Sequence, residues 1–151
     1  MRHPSLIRLS HDHHHGLALA LRCRKQSLGQ IKPMGAEGLR ERSAEVTQFF
    51  ATDLVPHFRA EEDILFPLLR SAVPQSVPVI EQLLGEHEQI SAMVENLNRG
   101  QGLSQILFDL GDLLERHIRL EERELFPLYE ENVAADEAER TGEKIRRLLG
   151  G

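Results

Sequence analysis

The chain has 151 residues, 40% apolar and 28% charged, a globular composition long enough to bury a core without disulfide staples. A net charge of -6 leaves no basic surface to invite nucleic acid or an anionic membrane. One cysteine, Cys23, excludes an intrachain disulfide, and the start Met1-Arg2-His3-Pro4-Ser5 lacks an apolar signal core. With no run approaching the ~20 apolar residues of a membrane span, the expected location is cytoplasmic.

Helical periodicity runs the length of the chain, with no strand-like alternation. Ser5 is read as the cap of a first helix carrying Leu6, Leu9, Leu17, Leu21 and Leu28. The stretch Gly29 to Gly38, with Pro33 and Gly35, reads as a loop. A second helix is expected from about Leu39 to Arg70, bent by Pro56 just before His57 and again by Pro67. After a loop from Ser71 to Pro78, a third helix covers Val79 to Asn98. A fourth runs from Leu103 to about Glu131, and a tail helix from Asp136, as its cap, to Leu149. Short connections predict an all-α, antiparallel up-down-up-down four-helix bundle with a short C-terminal helix.

Two segments of this pattern are near-copies sixty residues apart. His57-Phe58-Arg59-Ala60-Glu61-Glu62 leads into Leu65-Phe66-Pro67-Leu68, and His117-Ile118-Arg119-Leu120-Glu121-Glu122 into Leu125-Phe126-Pro127-Leu128. Positions i and i+4 share a helix face, so His57 points with Glu61 and His117 with Glu121. That face is the apolar one, flanked by Leu54, Phe58 and Leu65 in one copy and by Leu113, Leu114 and Leu125 in the other. A buried unpaired carboxylate costs several kcal/mol or more; a divalent cation shared with neutral imidazoles offsets that cost.

The other two helices supply candidate partners. His87 has Ile80, Leu84, Ile90 and Val94 at helical spacing, and His14 has Ile7, Leu17 and Leu21. His13, with Leu9 and Leu17 four residues to either side, rivals His14. The expected metal ligands are then His14, His57, Glu61, His87, His117 and Glu121. Imidazole and carboxylate without thiolate suit iron, manganese or zinc. Glu62 and Glu122 are placed to orient imidazoles on neighbouring helices, and Glu86 to line the site.

The motifs Asp12-His13-His14 with Leu17, His57-x-x-x-Glu61-Glu62, Glu86-His87 with Ile90, and His117-x-x-x-Glu121-Glu122 resemble those of the hemerythrin-like, or HHE cation-binding, family. The resemblance extends from Leu6 to Tyr129 and implies a single domain over 1–151. It implies two iron ions in an oxo- or hydroxo-bridged centre, with Glu61 and Glu121 bridging; zinc or manganese fits less well. Four residues beyond His87, where oxygen-carrying hemerythrins have a further histidine, this chain has Ser91. That departure points away from reversible oxygen carriage and towards a more open site.

The function expected is binding of, or reaction with, a small diatomic ligand or peroxide (oxygen, nitric oxide, hydrogen peroxide) in sensing, stress response or iron homeostasis. No nucleophile or general base stands out, so no dedicated catalytic activity is expected. The competing readings are an iron storage or buffering module and a bundle in which a metal only stabilises the fold.

Overall fold

Leu9, Gly16, Ala20 and Cys23 fall on one stripe of the first helix, and that stripe is what the helix buries. In the structure, a computed structural model describing residues 2–150, the first helix spans Ile7–Ser27. A 3-10 turn, Pro4–Leu6, leads into it. The cap of that turn is His3 rather than Ser5: the ring Nδ1 of His3 accepts the Ser5 N–H at 3.0 Å. The second helix covers 35–72, the third Val77–Leu97 and the fourth 103–132. The tail helix, Ala135–Leu149, starts a residue before Asp136, which sits in its first turn. The described residues form an all-α bundle of four long helices plus this tail, with no strand.

The prolines do not break the second and fourth helices; they widen them. Proline has no N–H and its ring collides with the carbonyl four residues back. In each case the residue ahead of the proline reaches back five residues instead of four. Val55 donates to the Phe50 carbonyl, Phe66 to that of Glu61, and Phe126 to that of Glu121. The Leu-Phe-Pro repeat therefore places a wide π turn directly after each buried glutamate, a device common at functional sites.

The core is divided in two. At one end Leu6, Leu9, Leu65, Phe66, Leu69, Ile80, Leu83, Leu125, Phe126 and Tyr129 pack together, joined by Ala138 and Ile145 of the tail. At the other, Leu19, Cys23, Val46, Phe58, Ile90, Leu107, Leu110, Leu114 and Ile118 form a second cluster. The tail helix packs on the bundle against the first turn of the chain, where Ser5 Oγ and the buried Tyr129 hydroxyl are hydrogen-bonded at 2.9 Å. No helix among the described residues is long and apolar enough to cross a membrane.

The first and fourth helices approach closely because glycine lines their contact. A Cβ at Gly111 would lie 2.6 Å from the Ala20 carbonyl oxygen, and one at Gly16 would lie 2.9 Å from Ile118 Cδ1. Gly111→Ala should therefore destabilise the protein by about 1–3 kcal/mol. Gly85→Ala meets open space on the third helix and should stabilise it by about 0.5–1 kcal/mol. Urea midpoints for the two variants, moving in opposite directions, check the pair. Burial pushes the Cys23 thiol up to about 12, so a disulfide exchange reagent should label it only after unfolding.

Candidate metal centre

Between the two apolar clusters lies a layer of polar side chains supplied by all four long helices. His13 comes from the first, His57 and Glu61 from the second, His87 from the third, and His117 and Glu121 from the fourth. Glu61 and Glu121 have no exposed surface. Their carboxylates lie across the middle of the layer, each facing histidines on both sides. Glu61 Oε2 is 3.4 Å from His57 Nε2, while its Oε1 is 3.0 Å from His87 Nε2. Glu121 Oε1 is 3.1 Å from His13 Nε2 and 3.9 Å from His57 Nε2, while its Oε2 is 2.9 Å from His117 Nε2.

Two ligand groups result. His13, His57, Glu61 and Glu121 form one, and Glu61, His87, His117 and Glu121 the other; within each, the ligand atoms lie within 4.8 Å of one another. The glutamates belong to both groups. Despite the short distances, Nε2 of His13, His87 and His117 and all four oxygens of Glu61 and Glu121 are buried without a hydrogen-bond partner. Each such atom costs about 1–3 kcal/mol, more where charged. Unpaired nitrogens and oxygens converging in this way fit a divalent cation in each group. The absence of sulfur among the donors suits iron, manganese or zinc.

The opposite ring nitrogen of every histidine is held by a carboxylate from the preceding helix. Asp12 Oδ2 on the first helix lies 3.0 Å from His57 Nδ1 on the second, and Glu62 Oε2 on the second lies 2.7 Å from His87 Nδ1 on the third. Glu86 Oε1 on the third lies 2.8 Å from His117 Nδ1 on the fourth, and Glu122 Oε2 on the fourth lies 2.6 Å from His13 Nδ1 on the first. With Nδ1–H donating to the carboxylate, each Nε2 is left as a lone pair aimed inward. Stacking adds to this: the Phe58 ring lies 3.7 Å from that of His87 at 14°, and the Phe126 ring 5.5 Å from that of His13 at 13°.

Electrostatics reinforce the arrangement. Burial alone would strip the proton from His117, but the Glu121 and Glu86 carboxylates raise its pKa to about 9. Burial opposes charge on His57 and His13 too, yet the carboxylates around each hold its pKa above the ordinary imidazole value. Burial likewise disfavours a charged Glu121, but the His117 and His13 imidazoles facing it hold its pKa well below the carboxylate norm. Protons and a cation compete for these same nitrogens.

The structure places His57, Glu61, His87, His117 and Glu121 together, and corrects the first helix: His13, not His14, lies in the layer. His14 is exposed. The spacing that favoured it relied on Ile7 and Leu21, which are themselves 52% and 45% exposed. The buried stripe is marked instead by Asp12, Gly16 and Ala20. Glu62 and Glu122 orient imidazoles, as their position one residue past the buried glutamates implied. Asp12 and Glu86 do the same, a role that helical spacing did not reveal. The signal for it was present: Asp12-His13 and Glu86-His87 are matching acid-histidine pairs on the first and third helices.

The two halves are not equally enclosed. Glu122 also accepts from Ser10 Oγ at 2.7 Å and lies 3.4 Å from Arg2, whose guanidinium covers the Phe126 ring. Glu62 has no further hydrogen bond among the described residues. It stands at a cleft of about 580 Å³ between the second and third helices, lined by Phe58, Glu62, His87 and Ser91 among others. Ser91 uses its hydroxyl on the His87 carbonyl at 2.8 Å.

The family model for the hemerythrin HHE cation binding domain matches residues 5–129, and the chain belongs to that family. No curated protein and no solved structure matches the chain.

Glu86 is buried, and its removal frees the His117 ring. Glu86→Ala should weaken cation binding about 10–100-fold, read by competition against a chromogenic chelator. An unchanged affinity would show that the carboxylate does not orient the ring.

Proposed function

We propose, from membership of the hemerythrin HHE family, that this chain holds two iron ions. His13 and His57 are the terminal ligands of one, His87 and His117 those of the other, and Glu61 and Glu121 bridge the pair. The observation that carries this reading is the sharing of both buried carboxylates between two imidazole pairs, each oxygen turned to a different histidine. A single ion would leave half of those oxygens and nitrogens unpaired. Iron so held supplies Lewis acidity and one-electron redox chemistry.

The ligand of the centre is a small molecule: oxygen, nitric oxide or peroxide. Four histidines and two carboxylates are a lean donor set for two ions, and Ser91 is already engaged with the His87 carbonyl. The cleft between the second and third helices reaches His87, while Phe58 and Phe66 pack on that ring and close the layer from it. No side chain in the layer is placed as a nucleophile, so sensing or stress response fits better than turnover of an organic substrate.

Anaerobic loading with ferrous iron, followed by removal of unbound metal, should leave two irons per chain with magnetically coupled spectra after oxidation. A ratio well above two would replace this reading with iron storage, and a centre that takes only zinc would replace it with a structural role. In the Glu61→Ala/Glu121→Ala double variant, which lacks both shared carboxylates, coupling between the two ions should disappear and metal content should fall. Two coupled irons in that double variant would end the bridging assignment.

A further inference from the structure

Three histidines at the start of the first helix take no part in the buried layer: His11, His14 and His15. We propose that His11 and His15 form a second, separate metal site on the protein surface, taking a divalent cation of the zinc class. The two lie one turn apart on one helix face, both exposed. Each is two residues from His13, roughly 200° round the helix, so the pair faces away from the buried centre.

The geometry is that of two ligands sharing an ion. The Nε2 atoms are 3.4 Å apart, with ring centroids 4.9 Å apart and planes at 81°. Two nitrogens bound about 2.0–2.1 Å from a tetrahedral zinc ion stand about 3.3–3.4 Å apart. As a mutual hydrogen bond the same separation is long, since N–H bonds of this kind centre near 2.9–3.0 Å. Neither ring has another hydrogen-bond partner among the described residues. The chain supplies two ligands, and water or an added ligand completes the tetrahedron. Such a site is open and exchanges readily, unlike the enclosed layer on the other side of the helix.

The test is a calorimetric titration of the full chain with Zn(II), its buried centre first filled with iron. The wild type should bind one Zn(II) per chain that His11→Ala and His15→Ala each lose. His14→Ala, which removes an exposed histidine of the same segment, should retain it. Imidazole NMR signals of His11 and His15 should shift together as this zinc saturates, while that of His14 stays in place. Because the readout is the difference between variants, it does not depend on what the buried centre holds. Equal zinc stoichiometry in the wild type and His11→Ala, with helical content unchanged, would overturn the proposal, as would equal loss in His14→Ala.

Discussion

Two glutamates with no exposed surface lie at the middle of this bundle, and the rest of the structure is organised around keeping them there. A carboxylate in such a place is tolerated only when positive charge or directed donors meet every lone pair. Four imidazoles meet them from four helices, two apolar clusters close the layer from either end, and glycines draw the first and fourth helices together. Removing one member leaves the others buried and unmatched, so the layer is specified as a unit.

The second set of carboxylates turns that layer into a closed circuit. Each helix carries an acid that holds the histidine of the next: first to second, second to third, third to fourth, and fourth back to first. A bundle with the same helices in another spatial order would break these pairs. The circuit thus fixes neighbour relations that apolar packing alone, being non-directional, would leave weakly specified. It also sets ring orientation, so the inward nitrogens are poised by groups that need not touch a ligand themselves.

Much of this was legible in the residues. The His-x-x-x-Glu-Glu duplication marked both glutamates, both of its histidines and the orienting acids beside them, because ionisable groups repeated at i, i+4 on an apolar face are costly to bury unless a cation meets them. The helix count followed from periodicity and the loop residues. The first helix was harder, because its segment offers four histidines and its buried stripe is made of Asp12, Gly16 and Ala20 rather than large apolar residues. Hydrophobic spacing reads bulk; here close approach needed small side chains, and exposed Ile7 and Leu21 supplied a false stripe. The pairing of Asp12 with His57 and of Glu86 with His117 is a tertiary relation, and no local pattern states which histidine an acid will meet. The prolines read as bends because proline's backbone effect, taken alone, does not reveal that the helix can absorb it by widening.

The wide turns after Glu61 and Glu121 have a consequence for how each helix is phased. An extra residue in a turn resets the rotation of everything beyond it by roughly 100°. His57 and Glu61, and likewise His117 and Glu121, obey the ordinary register; Leu65 with Phe66, and Leu125 with Phe126, obey a shifted one. The wide turns therefore bring Phe66 and Phe126, which ordinary winding would leave about 140° round the helix from Glu61 and Glu121, onto the buried side beside Leu65 and Leu125, so that an apolar plug follows the polar layer along one axis.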